Sequence, residues 1–329
     1  MNGTEKEART YDIAAFGEIL IDFTYQGVND KGQKLFAQNP GGAPANVLVA
    51  AQKLGACTAF LGKAGEDMHG RFLKQVLEQE NINTEGFILD VQYFTTLAFV
   101  ELNEHGERNF SFARKPGADT QMEKEEADMK ILKDCRIFHV GSLSLTDEPS
   151  RGTTFHMVKA AKENGSFISY DPNYRASLWK DEETAKREMR SMIPYVDIMK
   201  ISDEETELLT DEKNPEAAAE ALCRQGVSLA VVTLGKDGAY VCSREGGRTV
   251  AGYASKVVDT TGAGDSFWGG FLYQVSRCGR RPEEITLEEA AEHVRFGNAV
   301  ASLCVEGSGA IPAMPSMERV IGRLKVMNS

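Results

Sequence analysis

The sequence runs to 329 residues, 42% of them hydrophobic and 26% charged, with a formal net charge of −12. That size buries an ample core as one large α/β domain or two smaller ones, and a negative balance without a basic cluster argues against nucleic acid as a partner. No C-x-x-C pair joins the six cysteines, no apolar run nears the roughly 18 residues that cross a bilayer, and no apolar h-region opens the chain; zinc, a disulfide framework and membrane attachment are unexpected, and a cytoplasmic protein is expected.

Residues 12–22 form a near-continuous apolar run ending on a carboxylate, which predicts a buried first strand. Ligands gather at the carboxyl ends of strands in open α/β sheets, so Asp22 is a candidate for substrate hydroxyls, with a solvated strand-end Asp as the alternative. Residues 24–39 are polar and glycine-spaced, an excursion away from the sheet. Pro40-Gly41-Gly42-Ala43-Pro44-Ala45-Asn46 then precedes an apolar helix over 47–54. Gly41 and Gly42 allow close backbone contact with a ligand, and Asn46 offers a donor and an acceptor to a polyol. A tight turn into a helix would look the same.

A strand over 57–62 and a helix over 68–79 set the βαβ rhythm of a parallel sheet. Two further strands, 96–102 and 108–113, flank the five-residue connection Asn103-Glu104-His105-Gly106-Glu107 and interrupt that rhythm. Arg114 ends the second, where a guanidinium suits either sugar oxygens or solvent.

From residue 136 strands at 136–141, 166–171, 197–202 and 229–234 alternate with helices near 151–163, 182–192, 204–210 and 215–225. Three strand ends carry polar groups. In Asp171-Pro172-Asn173-Tyr174-Arg175, Pro172 holds Asp171 extended and aims the next side chains out of the sheet; Arg175 and Asn173 suit a phosphate or a sugar, or a surface turn. Ser202-Asp203-Glu204-Glu205 reads as an acidic helix N-terminus. Thr233-Leu234-Gly235-Lys236-Asp237-Gly238 suits the close approach of a nucleotide or a hairpin turn into 239–242.

Val257 and Val258 run into Asp259-Thr260-Thr261-Gly262-Ala263-Gly264-Asp265, after which Phe267, Phe271 and Val275 recur four apart as an amphipathic helix requires. The small residues let a phosphate approach the main chain and leave the first helical N–H groups aimed at it, an anion hole. Asp265 sits where the helix dipole favours negative charge, so its carboxylate is expected to be ionised and able to accept a proton. A base beside a phosphate cradle suggests phosphoryl transfer; an N-capping Asp after a glycine turn is the bland alternative. Neither a dinucleotide fingerprint nor a P-loop occurs. A helix over 287–305 carries Asn298 and leads into a small-residue loop over 306–312.

Asp-Thr-Thr-Gly-Ala-Gly-Asp at 259–265 closely resembles the C-terminal signature of the ribokinase-like (PfkB) sugar kinases, and Gly-Gly-Ala-Pro-Ala-Asn at 41–46 resembles their N-terminal one in a form similar to fructokinases. Residues 110–119 and 171–175 are similar to fructokinase stretches too, in the family's order. The resemblance implies an α/β, ribokinase-like fold: an open, mostly parallel sheet flanked by helices, with a core of residues 1–23, 41–91 and 116–329 and a discontinuous β-lid of residues 24–40 and 92–115. It implies ATP-dependent phosphorylation of a free sugar, D-fructose at O6 first. A kinase for 2-keto-3-deoxygluconate, ribose or a nucleoside is the near alternative. A catalytically silent sugar-binding regulatory protein is the alternative of another class, and the intact Asp265 speaks against it.

On this resemblance Asp265 is the base and Gly262, Ala263 and Gly264 build the anion hole. Sugar contacts fall to Asp22, Gly41, Gly42, Asn46, Arg114, Asn173 and Arg175. Ser202 stands where the family has the Asn of its Asn-x-x-Glu motif, which leaves Glu205 to meet Mg²⁺ through water. Thr233, Gly235 and Gly238 would line the ATP phosphates and Asn298 the adenine, while Asp259 and Thr261 would hold K⁺. ATP, Mg²⁺ and K⁺ are thus the implied cofactors, sugar and ATP the partners, and the lid edge a place where two copies could pair.

Overall fold

Apolar runs alternate with amphipathic segments along this chain, and in the computed structural model they become strands and helices of one large sheet with a second, smaller sheet at its edge. Residues 9–102 and 108–326 are described; the connection expected at 103–107 lies outside them. The strands are β1 (Tyr11–Phe16), β2 (Leu20–Val28), β3 (Lys34–Gly41), β4 (Thr58–Gly65), β5 (Phe87–Asp90), β6 (Leu97–Leu102) and β7 (Arg108–Ala113). They continue with β8 (Cys135–Val140), β9 (Phe167–Tyr170), β10 (Ile198–Ser202), β11 (Leu229–Thr233), β12 (Ala239–Ser243) and β13 (Gly246–Val250). The helices are α1 (Ala43–Lys53), α2 (Met68–Gln79), α3 (Met129–Lys133), α4 (Ser150–Glu163) and α5 (Glu182–Met192). After them come α6 (Thr206–Thr210), α7 (Pro215–Arg224), α8 (Ala263–Arg277), α9 (Leu287–Cys304) and α10 (Met317–Val326).

The large sheet has the order β13-β12-β11-β10-β9-β8-β1-β4-β5. Seven strands from β11 to β5 are parallel, and β12 and β13 add antiparallel at one edge. A parallel sheet has to be covered on both faces. Side chains alternate along β1 accordingly: Ile13 and Ala15 join the core built with α1, α2, α8 and α9, whereas Ala14 and Phe16 join the core built with α3 to α7.

The apolar run over 12–22 is not one strand. β1 stops at Phe16, the chain crosses at Gly17-Glu18-Ile19, and β2 begins in the second sheet. Ile19, Leu20 and Ile21 stay buried where the sheets meet, so hydrophobicity runs through the break without marking it. Asp22 therefore stands on a strand of the small sheet, not at the carboxyl end of a central one. That sheet has the order β3-β2-β6-β7, and the polar excursion over 24–39 is its β2–β3 hairpin. One of its faces carries Phe23 stacked on Phe99 at 5.3 Å with Phe36 edge-on to Phe99 at 5.9 Å. Asp22 and Phe112 belong to the other face, aligned across β2, β6 and β7 through Ala98.

β5 and β13 lack a periodic signal. In β13 only Val250 is buried, and the Gly246-Gly247-Arg248 stretch has no alternation to read. α1 packs directly on α8. A Cβ on Gly269 would lie 2.6 Å from both Ala50 Cβ and Val47 O, so the bare glycine lets the two helices close up midway along their lengths.

Candidate active site

The turn before α8 closes with Gly262 in the left-handed region, φ +74, where a Cβ would press on Ala310 at 2.6 Å. Ser266 N–H donates the first bond of the helix, to Gly262 O at 2.8 Å, and Ala263 N–H donates back to Thr260 O at 3.3 Å. The N–H groups of Gly264 and Asp265 thus precede the helical ladder, which leaves a narrower cradle than one built on every amide of residues 262–265. Asp265 is buried and its Oδ2 accepts a hydrogen bond from Asn46 Nδ2 at 2.8 Å. Burial pushes the carboxyl up from its ordinary value, Asn46 opposes this, Asp171 adds to it, and Lys200 and Arg175 oppose it. Desolvation, not the helix N-terminus, dominates the proton affinity of this group.

In front of Asp265 lies a cleft of about 200 Å³. It brings together Asp22, Gly42, Asn46, Asn173, Arg175 and Thr261 with the whole 262–265 turn, and adds Glu18, Thr260, Phe112 and Leu143. Gly41 lies beside it, where a Cβ would overlap the Asp22 carboxylate. Three buried polar atoms of the lining have no protein partner: Glu18 Oε2, Asn46 Oδ1 and Asn173 Nδ2. Buried polar atoms are normally paired, so this set is suited to a ligand rich in hydroxyls. Glu18 Oε1 accepts from Ala43 N–H at 2.9 Å, and burial pushes its carboxyl up to about 7.

Other expected site residues sit elsewhere. Arg114 does not reach this cleft: its guanidinium is buried against Asp119 at 2.7 Å and donates to Thr146 Oγ1 at 2.9 Å and Leu143 O at 2.8 Å. Those bonds tie the residue just after β7 to Asp119 and to the turn at Leu143 and Thr146. Glu205 accepts from Ser202 N–H at 2.8 Å, Ser202 Oγ at 3.0 Å and Tyr174 N–H at 2.7 Å, and so clamps the 171–175 loop to the end of β10. Thr233 ends β11, and Gly235 follows with φ +58 and open space beside it. Gly238 meets its own protein, since a Cβ there would overlap Val250 O. Asn298 Nδ2 donates to Val250 O at 3.2 Å and Ala251 O at 3.1 Å, which ties α9 to the end of β13. Asp259 accepts from Thr261 N–H and Oγ and, through Oδ2, from Gly309 N–H at 2.9 Å.

Comparison with known proteins settles the family. A family model described as pfkB family carbohydrate kinase matches residues 11–317. The chain belongs to that family. Fructokinase-2 of Solanum lycopersicum is 39% identical over 319 residues, 95% of this chain and 96% of that protein. The crystal structure of fructokinase with bound ATP from Xylella fastidiosa is similar at a TM-score of 0.90 and 32% identity, covering 97% of this chain and 100% of that one. Fructokinase from Vibrio cholerae O395, in fructose, ADP and calcium ion bound form, is similar at 0.87 and 32%, covering 96% and 99%. The ribokinase-like α/β fold expected from the two glycine signatures is the fold found.

Two features of this PfkB kinase's site have no signal in the sequence. Glu18 lies inside the apolar run that reads as one strand, and only the break between β1 and β2 turns it toward the cleft. Lys200 on β10 and Asp171 just past the end of the neighbouring β9, 29 residues apart, meet at 2.6 Å. Strand order brings them together, and no local pattern announces it.

Proposed function

We propose that this PfkB kinase transfers the γ-phosphoryl group of ATP to O6 of D-fructose, giving fructose 6-phosphate and ADP. The observation that carries the reading is the Asn46–Asp265 bond on the wall of a cleft whose unpaired polar atoms suit a polyol. The fructokinase name of the tomato relative and the fructose and ADP of the Vibrio structure support it.

The chemistry follows from the geometry. Asn46, Glu18, Asn173 and Asp22 receive the sugar hydroxyls, and Asp265 takes the proton of the attacking one. A carboxyl raised by burial is a stronger base than a solvated one, provided enough of it stays ionised. The N–H groups of Gly264 and Asp265 stabilise charge on the moving phosphoryl group, with Arg175 at the cleft, and in a loose transition state such positioning supplies most of the acceleration. The lid face bearing Asp22 and Phe112 keeps water from competing.

Mg²⁺ would neutralise the triphosphate. Glu205, whose oxygens also accept from Ser202 and Tyr174, would reach an ion carried by the nucleotide through water. K⁺ fits beside Asp259, a carboxylate that joins the backbone of the turn to the loop after α9. Thr233, Gly235 and Asn298 would border the nucleotide. Among the described residues no helix is long and apolar enough to cross a membrane, and the reading is of a cytoplasmic enzyme. Exposed Tyr25, Val28 and Leu35 on the lid hairpin support pairing of two copies through the lids.

A coupled ADP-release assay across fructose, ribose, 2-keto-3-deoxygluconate and adenosine tests the acceptor. Fructose should give the highest kcat/KM. Preference for any of the other three overturns the choice, and Arg175 would then be the first candidate to pair an acidic sugar.

A further inference from the structure

The turn that opens α8 rests against a buried ion pair that has no part in the transfer steps so far assigned. Lys200 of β10 and Asp171, just past the end of β9, are both buried, and Lys200 Nζ donates to Asp171 Oδ2 at 2.6 Å. A Cβ placed on Gly264 would lie 3.4 Å from that Nζ and 3.6 Å from Cε, so the lysine head abuts the main chain one residue before Asp265. Three carboxylates act on the ammonium: Asp171 beyond β9, Glu205 beyond β10 and Asp265 on α8. His139 on β8 feels Lys200, the Tyr170 hydroxyl feels Asp171 and Glu205, and Arg175 after β9 faces Asp265.

As a fastening, this pair is poorly made. Asp171 Oδ1 is buried without a hydrogen-bond partner, and a buried ion pair is often no more stabilising than apolar residues of the same volume. Its position is more telling than its strength. A cation fixed against Gly264 adds to the positive end of α8, at the place where a buried carboxylate must lose its proton and a phosphoryl group must arrive.

We propose that Lys200 is a positioning residue of the transfer step: held by Asp171 against the Gly264 turn, its ammonium keeps Asp265 ionised and sets a positive charge behind the arriving phosphoryl group. This rests on the proposed sugar-kinase activity. It makes Asp171 a tether that limits how strongly Lys200 acts on Asp265.

The test reads Asp265 directly, by ¹³C NMR of carboxyl-labelled aspartate with the resonance assigned by Asp265→Asn, alongside turnover of fructose with ATP. In Lys200→Met the titration midpoint of Asp265 should rise by about one unit or more, and in Asp171→Asn it should fall. Because a lone buried charge threatens folding, the double variant Lys200→Met with Asp171→Asn supplies a neutral pair of similar shape. Its kcat should drop about 10²-fold with KM for fructose within about threefold of wild type. An Asp265 midpoint equal in wild type and both single variants, or wild-type kcat in the double variant, overturns the inference. A wild-type enzyme that phosphorylates no fructose sinks the acceptor reading instead, and the NMR midpoints still decide the role of Lys200.

Discussion

Asn46 Nδ2 and Asp265 Oδ2 stand 2.8 Å apart, and this bond joins two glycine-led helix starts separated by 219 residues of sequence. Gly42, φ +115, precedes α1 and Gly262, φ +74, precedes α8, so each helix begins from a backbone shape that favours glycine. Close packing of α1 on α8 at Gly269 then brings the two starts to the same cleft. On the proposed function the consequence is chemical: one amide would meet a sugar with Oδ1 while its Nδ2 aims the base.

Removing the base while keeping its shape is the first expectation. Asp265→Asn should lower kcat by about 10² to 10⁴, roughly 3 to 5 kcal/mol in the barrier, with ATP affinity nearly unchanged. Steady-state kinetics with nucleotide titration checks both halves. A variant that keeps more than about a tenth of wild-type turnover would leave Asp265 as a helix cap only.

How far the chain can be read from its sequence depends on whether the signal is local. α2, α5 and β7 have the bounds their periodicity gives, because an amphipathic face or an alternating strand is written within a dozen residues. The two glycine signatures likewise mark real helix starts. What stays hidden depends on tertiary placement. The sheet change at Gly17 passes through residues buried on both sides of it, and Arg114 looks like any strand-end cation until its partners Asp119, Thr146 and Leu143 fold around it. Lys200 and Asp171 become neighbours only through the order of β9 and β10.

Arg114 gives the second expectation, now as a structural residue. Truncating it to Ala leaves the Asp119 carboxylate buried with Thr96 Oγ1 as a remaining donor, and breaking a buried pair in this way typically costs about 3 to 5 kcal/mol. Urea unfolding should show that loss. KM for fructose in the folded enzyme should stay within about threefold of wild type, whereas a tenfold or larger rise with unchanged stability would return Arg114 to the sugar.

Glu18 makes stability depend on pH. Its carboxyl is raised from 4.5 to about 7 by burial, so the native state holds this proton more tightly than the unfolded chain. The corresponding stability is fully present below about pH 4.5 and is lost as pH rises through about 7, by up to roughly 3 kcal/mol. Glu18→Gln can still accept from Ala43 N–H and cannot ionise. Its Tm should lie close to that of wild type at pH 4.5 and above it at pH 8; a difference that does not change with pH would show that burial of this carboxyl is relieved in some other way.

Asp259 carries the last expectation. Its Oδ1 accepts from Thr261 N–H at 2.9 Å and Oγ at 2.7 Å and its Oδ2 from Gly309 N–H at 2.9 Å, while Val258 and Asp259 N–H donate to Val305 O at 2.7 and 3.2 Å. The carboxylate thus ties the anion-hole turn to the loop after α9. That places a carboxylate six residues before the base, near where a triphosphate must bind. Three donors offset that charge in part, and a monovalent cation among the neighbouring carbonyls would offset it further while holding the turn so that the Gly264 and Asp265 amides keep their aim. Exchanging Na⁺ or a bulky organic cation for K⁺ at fixed ionic strength should therefore raise kcat. Asp259→Asn should weaken that response, since a neutral amide keeps part of the tie but attracts no ion. Equal rates in all three salts would mean that the hydrogen bonds to Thr261 and Gly309 hold the turn unaided.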